Sequence, residues 1–181
     1  MKKKGIKINF FSGPGAGKST VAAILYAELK VHGFSTEMVR EYAKELVYRG
    51  QDLRDSSLNT QLLIFANQLE REMILKTEVD YIISDSPLLL NAYYAKQPFF
   101  KEVAQLNHSK KDINIWVERS SQESYEDAGR SHTENQSKKI DTQMKDYLRS
   151  CGVELVELKG TSKEKADYIF RHLIDKRLSR A

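Results

Sequence analysis

The sequence predicts an α/β protein: a five-stranded parallel sheet with helices on both faces, three layers in all. Three observations carry this. Short β-branched and aromatic runs alternate along the chain with longer stretches whose apolar residues recur at helical spacing. The strand-like runs are nearly continuous in apolar residues rather than alternating, as strands covered on both faces should be. The chain has 181 residues, 40% hydrophobic and 30% charged, enough to bury a core and outside the composition of disordered chains.

The first strand is expected over 6–11 (IKINFF), broken by Ser12-Gly13-Pro14-Gly15-Ala16-Gly17. A helix follows over 18–32, with Val21, Ile24, Leu25 and Leu29 on one stripe and Gly33 as its stop. A second strand is expected over 35–40 and a helix over 41–49 closed by Gly50. The longest helix spans 58–78, with Leu58, Leu62, Phe65, Ala66, Leu69 and Met73 as its apolar stripe and Asn67, Gln68, Glu70 and Arg71 opposite. The third strand is 80–84, stopped by Asp85-Ser86-Pro87. Two short helices, 88–95 and 99–106, meet at the Gln97-Pro98 break, and 112–118 (DINIWVE) is the fourth strand with Trp116 in the core. Residues 120–132 read as a polar loop. Thr133-x-x-Gln136 has capping-box form and opens a helix bearing Ile140, Met144, Tyr147 and Leu148 on one face. The fifth strand is 153–158, and Thr161-x-x-Glu164 caps a last helix with Ala166, Ile169, Phe170, Leu173 and Ile174. There is no repeat and no linker, so the whole chain, 1–181, reads as one domain.

Lys and Arg total 29 against 25 Asp and Glu, a net charge of +4. Four of those lysines are Lys2, Lys3, Lys4 and Lys7, so the excess reads as a basic N-terminal tail, either solvated or in contact with phosphates. The single cysteine, Cys151, excludes an internal disulfide framework and a multi-cysteine metal cage. No apolar run approaches the ~18 residues a membrane helix needs, and no signal-peptide core follows the basic start. The expectation is a soluble, cytoplasmic protein with no membrane partner.

The segment that carries chemistry is Ser12-Gly13-Pro14-Gly15-Ala16-Gly17-Lys18-Ser19-Thr20. It follows a strand and opens a helix, the context a phosphate-cradling loop requires. Glycines let successive N–H groups converge on a phosphate, and the helix N-terminus adds a positive dipole end. Lys18 supplies a point charge for the outer phosphates, and the Ser19 hydroxyl suits Mg²⁺. Gly13, Gly15, Ala16, Gly17, Lys18, Ser19 and Thr20 are thus the candidate nucleotide-binding residues, with ATP and Mg²⁺ as the implied cofactors. The usual pattern, G-x-x-x-x-G-K-S/T, has glycine where this chain has Ser12.

A GTPase would carry Asn-Lys-x-Asp near the fourth strand, but that region reads Asn107-His-Ser-Lys-Lys-Asp112. A transporter-type or ring ATPase would carry an acidic pair after its apolar strand, but Asp85 is followed by Ser86 and Pro87. These absences point to a small kinase. The chain resembles P-loop kinases of the nucleoside and nucleotide kinase group, and within it the small phage and bacterial kinases that are similar to nicotinamide riboside kinase. The residues that carry this are the loop 13–20, Arg40-Glu41-Tyr42-Ala43-Lys44-Glu45, Asp85-Ser86-Pro87, and Gly129-Arg130 ahead of Ile140-Asp141. Lys44 stands where the related pattern has arginine. The resemblance implies the strand order 2-3-1-4-5.

In such a sheet, ligands gather beyond the carboxyl ends of the strands, where Glu41, Asp85 and the phosphate loop all fall. Phosphoryl transfer to a hydroxyl needs charge neutralisation and a carboxylate for the proton. Asp85 is the first candidate for orienting the acceptor or taking its proton, and can also hold Mg²⁺ through water; a turn-capping role is its structural alternative. Glu41 is the second candidate base, and the two roles are exchangeable. Arg40 suits an acceptor phosphate or hydroxyl, or a surface partner such as Glu37. The resemblance implies a lid over about 119–133, in which Arg130, with Arg119 beside it, would stabilise charge on the transferred group. The segment 88–107 is the expected acceptor side. There Tyr93, Tyr94, Phe99 and Phe100 interleave with Lys96 and Lys101, which suits a stacked base or a nucleic-acid strand, the alternative being that half of these rings are core; Tyr42, Tyr93 and Tyr94 are candidate substrate contacts. The first expectation is an ATP- and Mg²⁺-dependent kinase acting on a hydroxyl of a nucleoside-like acceptor, foremost a hydroxymethyl pyrimidine in DNA. A free nucleoside or nucleotide, nicotinamide riboside included, is the second. An ATP-bound switch with slow hydrolysis is the alternative of another class.

Overall fold

A computed structural model describes residues 5–53, 57–120 and 134–174, the side chains of 134–138 excepted. The elements run β1 (Ile6–Phe11), α1 (Lys18–Val31), β2 (Thr36–Val39), α2 (Tyr42–Tyr48), α3 (Leu58–Leu75), β3 (Tyr81–Ser84), α4 (Leu88–Ala95), α5 (Pro98–Leu106), β4 (Ile113–Val117), α6 (Glu134–Ser150), β5 (Val156–Leu158) and α7 (Ser162–Tyr168). A π-helical stretch, Ile169–Ile174, continues α7. All strand pairs are parallel and the order is β2-β3-β1-β4-β5, as expected. The expectations for Lys2–Lys4, Gly129, Arg130 and the Thr133 cap fall outside the described residues.

Period-2 alternation sorts β1 between the two faces of the sheet. Ile8 and Phe10 pack with Val21, Leu25 and Leu29 of α1 and with Ala166, Ile169 and Ile174. Phe11, next to Trp116 of β4, faces the other way, onto Phe65, Leu89, Phe100, Met144 and Leu148. Helices therefore cover both faces.

Most boundaries fall within two residues of expectation, and two departures are informative. The fifth strand was expected from 153, but only Val156–Leu158 pairs with β4, because Val153 turns into the core cluster under α4 and α6. On α3 the buried face is Ile64, Phe65, Gln68 and Glu72, while Leu58, Leu62, Ala66 and Met73 are exposed. The expected stripe was therefore wrong on four of its six positions. Two polar residues displaced it because each has work inside the molecule.

Glu72 is one of them. Its Oε1 accepts the Ser84 hydroxyl at 2.7 Å and its Oε2 accepts Lys7 Nζ at 3.0 Å. Lys7 Nζ also donates to the Asn107 carbonyl at 2.9 Å and lies 3.8 Å from Asp112. Half-buried His108 stands 3.8 Å from the same Asp112 carboxylate. Burial pushes the His108 imidazolium below the ordinary histidine range, with Lys7 adding to the push and Asp112 opposing it. Lys7 thus leaves the count of the basic tail: it is an interior cation of the central strand.

Candidate functional site

The parallel register brings the ends of all five strands to one rim. β1 stops at Phe11, and the chain turns through Gly15 and Gly17, both left-handed at φ 82° and 87°. A side chain would strain either position. Gly17 is the N-cap of α1, with no side chain capping it and no acid in the first turn. The first N–H groups of α1 are thus left to whatever sits in the loop. Lys18 folds back, its Nζ donating to the Ser12 carbonyl at 3.1 Å and lying 3.5 Å from the Ser12 hydroxyl. Ser12 is buried, and its hydroxyl donates to the Gly13 carbonyl at 3.0 Å. The departure from glycine at this position is therefore accommodated, and its oxygens hold the loop lysine.

Asp85 follows β3, the neighbour of β1. Its N–H donates to Val39 of β2 at 3.1 Å, which fixes the carboxylate at the junction of the two strands. Asp85 Oδ2 accepts the Ser19 hydroxyl at 2.6 Å. Oδ1 is buried and has no hydrogen-bond partner among the described residues. The turn-capping alternative does not describe this residue, because Asn91 Nδ2 holds the turn, donating to the carbonyls of Ser86 at 3.0 Å and Pro87 at 3.1 Å. A buried carboxylate with one orphaned oxygen beside a serine hydroxyl is a donor set that suits Mg²⁺.

Glu41 follows β2 and is the N-cap of α2, although its side chain makes no cap hydrogen bond. Its charge reaches Tyr94, whose phenol is pushed far above the usual range, first by burial and then by Glu41, Tyr93 and Asp141. Tyr93 packs edge-on against Tyr94 and at a tilt against Tyr147, and its hydroxyl lies 3.4 Å from Gln143 Oε1. Tyr42 is more deeply set. Its ring packs with Leu46 and Ile64 under the Arg71 guanidinium, 5.0 Å away. Arg40 is exposed, and Glu37 pairs with Lys30 at 3.1 Å. Phe100 is core, whereas Phe99 is exposed.

Two residues without an assigned role in the sequence reading belong to the rim. Asp141 of α6 accepts the Gly13 N–H at 2.6 Å and takes Arg119 Nε at 2.7 Å. Gln68 of α3 is fully buried; its Oε1 receives the Tyr42 N–H at 3.4 Å, and its Nε2 is unpartnered among the described residues. A glutamine in the polar quarter of a helix gives no sequence signal of this. Asp141 lies 128 positions from Gly13, beyond any local pattern.

Residues 7–165 match the family described as an AAA domain. The chain belongs to this family. Within this AAA domain the segment after β3 carries a single acid, Asp85, and then Ser86 and Pro87. No curated protein matches the sequence. Among solved structures, the AAA domain chain is similar to a deoxyadenosine kinase from M. mycoides, solved with dCMP and a flexible dCDP bound. The identity is 18% and the TM-score 0.57, over 93% of this chain and 98% of that one. It is also similar to a cysteine-to-alanine variant of the APS kinase of Mycobacterium tuberculosis, at 15% identity and a TM-score of 0.51, over 94% and 97% of the two chains. At these identities the likeness is one of fold: the AAA domain chain is built as these two kinases are. No described helix is long and apolar enough to cross a membrane.

Proposed function

We propose that this protein is a phosphotransferase that moves the γ-phosphoryl group of ATP to a hydroxyl of a nucleoside-like acceptor. The observation that carries the reading is the Ser19–Asp85 contact, with Asp85 Oδ1 buried and unpartnered among the described residues. Mg²⁺, when bound there, would neutralise charge on the phosphates and hold them in line. Ser19 and Asp85 would hold it, the backbone from Gly13 to Thr20 would cradle the phosphates, and Lys18 would neutralise the outer ones. Glu41 follows β2 at the N-terminus of α2, and we assign it the acceptor's proton, with Asp85 retained chiefly for the metal. Arg119, and Arg130 beyond the described residues, would oppose charge on the transferred group. A deoxyadenosine kinase and an APS kinase of similar fold support this reading.

Two acceptors remain, and particular residues support each. Exposed Phe99, Lys96 and partly exposed Lys101 on the α4–α5 side suit a nucleic-acid strand, and hence a hydroxymethyl pyrimidine in DNA. Tyr93, Tyr94 and the amide of Gln68 are packed rather than displayed, which suits a small enclosed nucleoside or nucleotide. An ATP-driven switch would have no use for the second carboxylate, Glu41.

Transfer of label from γ-labelled ATP with Mg²⁺ tests the reading, with Lys18→Ala as control. The acceptors are hydroxymethylpyrimidine DNA, ordinary DNA and a panel of free nucleosides and nucleotides. Label on any acceptor supports the kinase, and which acceptor takes it assigns the substrate. Label released only as free phosphate rejects the kinase in favour of the switch.

A further inference from the structure

Asp141 makes three contacts with two partners on different elements. Its Oδ1 accepts the Gly13 N–H at 2.6 Å, in the phosphate loop. Arg119, just past β4, gives it Nε at 2.7 Å to Oδ2 and Nη2 at 3.3 Å to Oδ1. One carboxylate therefore bridges the loop and the arginine, and the bidentate fork fixes the plane of the guanidinium. The third nitrogen, Arg119 Nη1, is buried and has no hydrogen-bond partner among the described residues. A buried guanidinium nitrogen without an acceptor is costly unless something else completes it.

The charges make the same point. A lone carboxylate beside a phosphate loop would repel the ligand the loop is built for. Paired with Arg119 it is neutralised, and the pair still offers an N–H corner that is unpartnered among the described residues. No other acidic side chain is needed at Gly13, whose N–H requires only an acceptor. A carboxylate there is explained by what it does to Arg119.

We propose that Asp141 is a positioning residue that holds Arg119 against the phosphate loop, so that Nη1 meets the outermost phosphate of a bound nucleoside triphosphate. This rests on the nucleotide reading of the loop given above, but its test requires no acceptor and no turnover.

The experiment is titration calorimetry of the full chain with ATP and with ADP, each with Mg²⁺, on wild type, Asp141→Asn, Arg119→Ala, Arg119→Lys and Arg119→Ala/Asp141→Asn. Melting without nucleotide verifies that each variant is folded. Asp141→Asn is expected to weaken ATP about tenfold, the scale of one charge-assisted hydrogen bond, and ADP less than about twofold. Arg119→Lys, which keeps the charge but not the fork, should reproduce most of that loss. In the Arg119→Ala background the sign should reverse: Asp141→Asn then removes an unpaired negative charge and strengthens ATP binding. Equal losses for ATP and ADP would reduce Asp141 to a support of the loop and overturn the proposal. So would tighter ATP binding by Asp141→Asn alone, or additive effects of the two substitutions. If wild type transfers phosphate to no acceptor yet shows the reversal, the kinase reading fails and this inference stands. If transfer occurs and the reversal is absent, the inference fails alone.

Discussion

The Ser19 hydroxyl donates to Asp85 Oδ2 at 2.6 Å, tying the first turn of α1 to the end of β3 across 66 positions of sequence. The contact places the loop serine and a buried acid on the same spot, which neither the loop nor the strand could do alone. If both serve one metal, their substitutions must be coupled. Asp85→Asn and Ser19→Ala are each expected to lower kcat by about 100-fold or more, and the double variant to be little worse than either. Steady-state kinetics on the three proteins reads this. Full additivity would separate the two residues.

Lys7 is the counter-charge for both Glu72 and Asp112. Lys7→Met leaves two buried acids facing each other, and the expected loss is about 3–5 kcal/mol, the cost of breaking a buried pair from one side. Urea unfolding measures it. The triple variant Lys7→Met/Glu72→Gln/Asp112→Asn should recover part of the loss, since the charge left behind is what costs.

His108 should make stability fall on acidification. Burial depresses its folded pKa, so below the unfolded value of about 6.5 the unfolded chain binds a proton that the folded chain refuses. The contribution is present above that value and is lost as pH drops towards the folded pKa. Melting temperatures at about pH 7.5 and about pH 5.5 should differ more in wild type than in His108→Gln, which titrates nothing at that position. An identical difference in the two proteins would remove His108 from the account.

The capping box at α7 is a plainer case. Thr161 accepts the Glu164 N–H at 3.3 Å, while Glu164 accepts the Thr161 N–H at 2.8 Å. Thr161→Ala is expected to cost about 1 kcal/mol. A chain of this length should then melt about 2–4 °C lower by calorimetry. An unchanged melt would mean that α7 is held by Ala166 and the residues packed around it rather than by its cap.

Much of this architecture is legible in the residues. The Ile6–Phe11 run and the glycines after it locate β1 and the loop to the residue, because a strand–glycine–helix junction has few other solutions. The same holds for the Thr161–Glu164 box. What stayed hidden shares one cause, which is that hydrophobicity marks the core only where the core is apolar. Gln68 and Glu72 lie on the buried face of α3 because they meet Tyr42, Lys7 and Ser84, and periodicity credits Leu58 and Met73 instead. Asp141 could be quoted as part of a family pattern, but its partnership with Gly13 and Arg119 exists only once α6 is folded against the loop.

The interior position of Lys7 also governs how β1 can insert between its neighbours. With Lys7 level with Ile82, the Glu72–Ser84 pair stands within reach of its ammonium. Shift β1 by one residue and the ammonium exits onto the opposite face, among Val21, Leu25 and Ile83; shift it by two towards the C-terminus and Asn9, between Ile8 and Phe10, is left to answer two carboxylates. Neither offset is tolerable, so the charged side chain acts as an index mark for strand assembly. The phosphate loop begins five residues further on, so the same mark sets how high that loop rises beside Asp85.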